Sequence, residues 1–267
     1  MRAAQKRAKK TVSSKPNYRA PALEKGLDIL ELLAEQPDGL TQGEIARTLG
    51  RSVSEIFRML NCLVERSYVS LHQPADVYTL SLRLFEISHR HPPIRRLIGA
   101  ALPLMTEVTR EIDQSCHLTV ANNDHILVVA QMDNPGGLGF SVRIGLQLDL
   151  LQTSSGLVML TFQSDAERKR ILHAYQQATG EKVDYDALEK RFAKIRARGY
   201  EEANSLQVSG IINVSFPVFD FSGHAFATLV VPFLRRVDQD SVKTLQATRK
   251  ALQNAATKLS AAVGRVS

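Results

Sequence analysis

The sequence predicts an α+β chain with a helical N-terminal domain and a larger C-terminal domain built on a mostly antiparallel sheet. Helical spacing and two capping boxes indicate three short helices before residue 66. Two runs rich in β-branched and aromatic residues then flank a turn at residues 73–76. Beyond residue 115 the apolar period changes to two and further helices follow, which is typical of an α+β domain.

Length and composition exclude several classes of protein. The 267 residues suit one large or two modest domains, and a hydrophobic fraction of 44% argues against wholesale disorder. Two cysteines exclude a disulfide scaffold and a Cys-rich metal module. No apolar run of about 18 residues predicts a membrane span, and the N-terminus lacks the apolar core of a signal peptide. We therefore expect a cytoplasmic protein with reduced thiols and no membrane partner.

The formal net charge of +7 is concentrated at the N-terminus. Residues 1–19 carry seven basic groups and no acid, whereas residues 20–80 are net −4, residues 81–97 net +3 and residues 98–267 net +1. The first segment is predicted to be a disordered basic arm. Two interpretations of the arm stay open, a solvated charge run or a segment that contacts nucleic-acid phosphates.

Three amphipathic helices are predicted after the arm. The first spans about residues 22–35, and Pro37-Asp38-Gly39 ends it. Capping boxes at residues 41–44 and 52–55 begin the second and third helices. The apolar stripes of the first and third helices are expected to comprise Leu23, Leu27, Leu30 and Leu33, and Val53, Ile56, Phe57, Leu60, Leu63 and Val64.

A hairpin of residues 68–72 and 77–80 completes this domain. The order helix, helix, helix and hairpin predicts a winged helix-turn-helix over residues 20–80. Residues 81–97 are predicted to be a linker helix region. Its helical stretch covers residues 81–89 and stops at Pro92-Pro93. Residues 98–267 form the second domain.

The third helix is expected to present polar side chains opposite its apolar stripe. Arg51, Ser54 and Arg58 are candidates for base or phosphate contacts, because Arg pairs with guanine and Ser suits either partner. Glu55 either accepts from a cytosine or completes its capping box, and the local geometry favours the cap. The predicted DNA-contacting residues are Lys15, Arg19, Thr41, Gln42, Arg51, Ser52, Ser54, Glu55, Arg58, His72 and Gln73.

An alternative function follows from the acidic charge of residues 20–80. DNA affinity depends on Lys and Arg, so a winged helix with net charge −4 also suits a protein-interaction or ligand-sensing module. The adjacent basic arm favours DNA. An enzyme is not expected, because no catalytic constellation is present. No cofactor or metal is expected either, because His89, His91 and His117 lack zinc-site spacing and the Gly-rich residues 134–139 match no phosphate loop.

Strands and helices alternate in the second domain. Strands are predicted at residues 116–121, 126–131, 138–144, 211–219 and 225–233, and helices at about 94–112, 154–162, 165–177, 186–198 and 238–263.

Several motifs together resemble those of IclR-type transcriptional regulators. The likeness spans about residues 20–260 and is carried by residues 23–30, 44–46, 49–50, Arg58, 63–69, 78–80, 83–86, 198–200 and 216–220. The resemblance implies a GAF-like effector-binding domain after the linker helix. It also implies homodimers or homotetramers on a palindromic double-stranded DNA operator, controlled by a small organic acid or aromatic compound.

The resemblance places an effector pocket at two segments. They supply the predicted effector-binding residues Thr153, Ser154, Ser155, Gly156, Ile211, Asn213, Ser215 and, from a further strand, Val230. The helix that begins at Ser154 favours an anion at its N-terminus, and its hydroxyls also suit an N-cap. Asn213 replaces a common Cys, Ala203 an acid, and residues 228–232 are apolar. We therefore expect an aromatic or rather apolar carboxylate instead of a small dicarboxylic or hydroxy acid. A vestigial pocket is the alternative.

Overall fold

The computed structural model describes residues 20–90, 92–137, 139–235 and 241–264. They form two compact units, one that ends before Pro92 and one that begins there. The predicted arm, residues 1–19, lies outside the described residues. None of the helices in these ranges has the length and apolarity that a bilayer crossing requires.

The first unit is the predicted winged helix-turn-helix. Its elements are α1 (Pro21–Ala34), β1 (Leu40–Thr41), α2 (Gln42–Thr48), α3 (Val53–Glu65), β2 (Val69–His72), β3 (Val77–Leu80) and α4 (Arg83–His89). The strands form an antiparallel sheet in the order β1-β3-β2. The two-residue β1 is too short for a period-two pattern, so sequence reasoning missed it.

Both predicted capping boxes are present. The Thr41 hydroxyl accepts a hydrogen bond from the Glu44 N–H, and the Glu44 carboxylate accepts one from the Thr41 N–H at 2.8 Å. Ser52 and Glu55 make the same exchange at the start of α3. These local bonds satisfy N–H groups that have no partner inside either helix, which explains why α2 and α3 begin at the predicted residues.

The predicted apolar stripes of α1 and α3 are only partly correct. The core of this unit comprises Ile29, Leu33, Ile45, Ala46, Ile56, Leu60, Val69 and Tyr78. Leu23 and Leu27 of α1 are 63% and 47% exposed, and Val53 and Phe57 of α3 are 53% and 48% exposed. A domain of this size covers only a narrow side of each helix, so the wider stripes extend into solvent.

The predicted linker segment, residues 81–97, is divided between two helices. α4 ends at His89, and α5 (Pro92–Ile112) begins at the Pro92-Pro93 pair. Proline disfavours helical geometry in the preceding residue but suits the first turn of a helix, so the same pair ends one element and opens the next. α4 buries none of its side chains.

The second unit is built on a six-stranded sheet. Its remaining elements are β4 (Cys116–Asn122), β5 (His125–Met132), β6 (Gln147–Asp149), α6 (Ser154–Thr161), α7 (Asp165–Thr179), α8 (Tyr185–Arg198), β7 (Glu201–Asn204), β8 (Ile211–Phe219), β9 (Ala225–Leu234) and α9 (Ser241–Val263). Every strand pair is antiparallel, in the order β6-β5-β4-β9-β8-β7. One apolar core joins α5 and α9 to the sheet, and a second joins α6, α7 and α8 to it.

The strand predicted at residues 138–144 is wrong. Gly139–Ile144 form no strand, and pairing with β5 resumes only where the Gly145 N–H donates to the Val128 carbonyl at 2.8 Å. Gly145 has φ +86°, a left-handed conformation that glycine adopts readily. Phe140 and Val142 of this segment instead line a pocket. The short edge strand β7 was not predicted.

Candidate functional site

Exposed side chains line the outward face of α3. Ser54, Phe57, Arg58 and Asn61 are spaced i, i+3, i+4 and i+7, so they form one strip along the helix. Ser54 and Arg58 are predicted DNA contacts, whereas Phe57 was assigned to the core and Asn61 was not considered. In helix-turn-helix domains it is this exposed side of the second helix of the motif that enters the major groove.

Two predicted DNA contacts are instead tied to α1. The Arg51 Nη2 lies 2.6 Å from an Asp28 carboxylate oxygen, and the Lys25 Nζ lies 2.5 Å from a Glu55 oxygen. Hydrogen bonds from Lys25 and Ser52 lower the pKa of Glu55 to about 2. Glu55 is therefore ionised, bonded in the cap and paired with a cation. The Lys25 charge offsets the repulsion that a lone carboxylate would exert on DNA phosphates.

The remaining predicted contacts in this unit also have partners within it. Thr41 caps α2, and the Gln42 amide donates to the Val53 carbonyl at 3.0 Å, linking the starts of α2 and α3. On the wing, His72 Nε2 lies 2.8 Å from the Thr79 hydroxyl, and the Gln73 amide donates to Asp76 at 2.6 Å.

Lys15 and Arg19 lie outside the described residues, so the predicted contacts of the arm have no structural description. Ser52, His72 and Gln73 remain exposed to solvent. The fold therefore brings Ser54 and Arg58 to the outward face of α3, and His72 and Gln73 to the wing. The other described contacts lie where helices begin or meet, and they are Thr41, Gln42, Arg51, Ser52 and Glu55.

A cavity of about 400 Å³ lies beside the sheet of the second unit. Its walls come from the sheet, from the N-terminus of α6 and from two loops. The lining residues are His117, Phe140, Ser141, Val142, Arg143, Leu146, Leu148, Thr153, Ser154, Ser155, Ser205, Gln207, Val208, Asn213, Val230 and Pro232.

The cavity coincides with most of the predicted effector residues. Thr153, Ser154, Ser155, Asn213 and Val230 line it. The other three predicted residues lie next to its wall. The Ser215 hydroxyl is buried 2.7 Å from the Ser154 hydroxyl, Gly156 packs against the Leu150 backbone, and Ile211 is buried on the same face of β8 as Asn213.

The N-terminus of α6 combines a cap with an anion-favouring site. Thr153 is the N-cap, and its hydroxyl accepts from the Gly156 N–H at 3.2 Å. The N–H groups of Ser154 and Ser155 belong to the first turn, where no carbonyl within the helix can accept from them. The helix dipole favours negative charge at this end, and Arg143 adds a cation to the same cavity. The N-cap is therefore present, and the anion site stays a prediction.

Sequence reasoning missed the contribution of His117. It lies on β4 opposite Val230 of β9, is 4% exposed and lines the cavity. Burial lowers the pKa of its imidazole to about 3, so the ring is neutral near pH 7. Its Nδ1 has no hydrogen-bond partner among the described residues. Strand alternation could have placed His117 opposite the core residues Cys116 and Leu118, but not beside a cavity.

A winged-helix head and a second domain with an anion-favouring pocket define a ligand-responsive, DNA-binding transcriptional regulator. The family model for the bacterial transcriptional regulator IclR C-terminal domain matches residues 94–261, and that for the IclR helix-turn-helix domain matches residues 22–72. The chain therefore belongs to the IclR family of transcriptional regulators, as the motifs implied.

Relatives and solved structures agree with this assignment. The chain is 30% identical over 240 residues to the HTH-type transcriptional regulator KdgR of Escherichia coli, covering 88% of this chain and 90% of that protein. It is 26% identical to XynR of the same organism, covering 91% and 97%.

An IclR homolog from Microbacterium hydrocarbonoxydans, complexed with 4-hydroxybenzoate, has the same fold with a TM-score of 0.73. It is 20% identical, covering 91% of this chain and 98% of that one. The Thermotoga maritima IclR has a TM-score of 0.70 at 22% identity, with the same coverage.

Proposed function

We propose that this regulator acts in the cytoplasm, binds a palindromic operator as a homodimer or homotetramer, and responds to a small organic carboxylate. The observation that carries the proposal is the cavity at the N-terminus of α6, where Arg143 and the first-turn N–H groups favour an anion. Effector binding would shift the population of head placements and hence the match to two half-sites.

The strip on α3 has the chemistry for reading base pairs. Arg58 can bond guanine O6 and N7, Asn61 can bond adenine N6 and N7, and the exposed Phe57 ring can contact a thymine methyl group. Lys25 and Asp28 hold the N-terminal end of α3 through their ion pairs, which fixes the direction in which this strip points.

Replacing Arg58 by alanine is expected to weaken operator binding about tenfold or more, because one good bidentate base contact contributes roughly 1–3 kcal/mol. The operator is first obtained by selecting genomic fragments bound by the full chain, and affinity is then measured by footprinting. Arg66→Ala removes the same charge from the C-cap of α3 and serves as the matched control. Equal losses in both variants would show that charge, and not position, matters.

Deleting residues 1–19 is expected to lower DNA affinity nearly uniformly across sequences. If all seven basic groups reached phosphates, the slope of log affinity against log salt would fall in magnitude by about 6, from ~0.9 per contact. A floppy arm seldom engages fully, so a fraction of this change is expected. Titrations at several salt concentrations measure it, and an unchanged slope would make the arm a solubilising extension only.

Exposed apolar side chains in the first unit support the proposed homo-oligomer. Leu82 and Phe85, at α4, are 76% and 58% exposed, and Leu23 and Leu27 form a second apolar pair on α1. Side chains of this kind are typical of surfaces that a second copy covers. Light scattering on the full chain measures the mass of the assembly, and a monomer at micromolar concentration would contradict this part of the proposal.

The proposed effector has an anionic end and an apolar body. Val142, Leu148 and Val230 supply apolar surface in the cavity wall. The aromatic acid named with the Microbacterium structure supports the aromatic class. Polar side chains from the two loops, among them Ser141 and Gln207, make the cavity more polar than the sequence suggested.

Calorimetry with benzoate-type acids and with small dicarboxylic and hydroxy acids tests the effector class. Binding of the aromatic acids is expected, together with a tenfold or larger loss in Arg143→Ala, because a charge-assisted contact to the carboxylate is removed. Tight binding of only a small polar acid would contradict the proposed class of effector, an aromatic carboxylate.

A further inference from the structure

His117 is the least satisfied polar group of the cavity wall. Its ring is 4% exposed, and Nδ1 lacks a hydrogen-bond partner among the described residues. Native proteins pair the large majority of buried polar atoms, and an exception calls for an explanation such as a bound molecule. The same imidazole lines a cavity large enough for an organic acid, so a ligand bound there would lie against the ring that carries the unpaired nitrogen.

The charged groups of the cavity indicate where the carboxylate of a ligand binds. Among the lining residues only Arg143 and His117 have side chains that can carry a charge, and burial lowers the pKa of His117 to about 3. The full positive charge is therefore on Arg143, and the N-terminus of α6 adds its partial positive charge to the same cavity. A carboxylate belongs with these groups.

A neutral imidazole offers one N–H donor and one acceptor nitrogen. A hydroxyl group matches it, because a hydroxyl can donate or accept and needs no counter-charge. A second carboxylate fits less well, because it can only accept from the neutral ring and its charge would be buried without a further cation among the lining residues.

We propose that His117 is a specificity-determining residue that selects effectors carrying a hydroxyl group in addition to their carboxylate. The proposal rests on the effector function proposed above and narrows its ligand class to hydroxylated carboxylic acids. A site built to bond a hydroxyl rejects the analogue without it, because the polar partner in the wall is then left unpaired.

Matched acid pairs that differ by one hydroxyl test this proposal. The probes are benzoate and 4-hydroxybenzoate, and phenylacetate and 4-hydroxyphenylacetate, titrated calorimetrically into the full chain. In at least one pair the hydroxylated acid is expected to bind about tenfold tighter or more. His117→Leu is expected to abolish this preference and to leave the affinity for the unhydroxylated member within about threefold.

Two further variants keep the outcome decisive. His117→Asn retains a polar side chain in case the leucine variant does not fold, and it should show a reduced preference. His173→Leu removes an exposed imidazole on α7, outside the cavity, and should retain the preference. Equal affinities within every pair, or a preference that survives both His117 substitutions, would overturn the role of His117 while leaving the effector site intact. If no acid binds although operator binding persists, the proposed effector function fails as well.

Discussion

Replacing Gly156 by alanine is expected to destabilise the second unit by about 3 kcal/mol or more and to damage the effector site. A Cβ at this position would lie 2.0 Å from the Leu150 carbonyl oxygen and 2.9 Å from its Cα. These are backbone atoms in the buried core, so the clash cannot be relieved by a flexible side chain, and overpacking of this kind costs about 1–3 kcal/mol or more. The predicted effector residue Gly156 thus acts by close packing. Denaturant titration followed by circular dichroism measures the loss.

Gly99→Ala is the matched control. Gly99 lies in α5, and a Cβ there would meet no atom within 4 Å. Since alanine is favoured over glycine inside a helix by about 1 kcal/mol, this variant should equal or exceed the natural protein in stability. A Gly156→Ala protein as stable as Gly99→Ala would show that α6 can move away from Leu150 without cost.

Acidification from pH 7 to pH 5 is expected to cost the second unit about 2 kcal/mol through His117 alone. Burial lowers the pKa of this imidazole from 6.5 to about 3 in the folded protein. Below pH 6.5 the imidazole of His117 is protonated in the unfolded chain but not in the folded chain. The free energy of unfolding therefore falls as the pH falls. The loss grows until the pH approaches 3, where the folded ring also becomes protonated.

His117→Leu isolates this contribution from that of every other acid and base. The variant should be at least as stable as the natural protein at pH 7, because it removes an unpaired buried nitrogen. It should also lose about 2 kcal/mol less between pH 7 and pH 5. Denaturant titrations of both proteins at the two pH values give the comparison. Equal losses would mean that His117 ionises freely in the folded state.

The sequence was most informative where structure depends on neighbours in the chain. The capping boxes at Thr41 and Ser52, and the stop at Pro92-Pro93, follow from bonds and clashes within four residues, and the structure has them at the predicted positions. The apolar period of α3 was equally clear. The period does not indicate how much of the apolar stripe the small first unit covers. It therefore places Phe57 in the core, whereas the structure shows Phe57 48% exposed.

The effector cavity was predictable only in part. Thr153, Ser155 and Asn213 lie on elements that the resemblance indicated, and they line the cavity. Arg143 and Gln207 come from loops that reach the same space from distant parts of the chain, and no local pattern marks such a convergence. The period-two pattern of residues 138–144, which include Arg143, predicts a strand. In the fold Phe140 and Val142 are cavity wall, and residues 139–144 pair with no strand.

The two sides of α3 have different roles, because ion pairs to α1 and apolar packing hold one side while the outward strip is left free. Arg51 and Glu55 anchor it, and Ile56 and Leu60 bury its inner side, whereas the outward strip takes no part in the core. Surface positions of this kind usually tolerate exchange within about 0.5 kcal/mol. Because the proposed base contacts lie on this strip, substitutions at Ser54, Phe57, Arg58 and Asn61 are expected to change the operator preference while the scaffold that carries them stays intact.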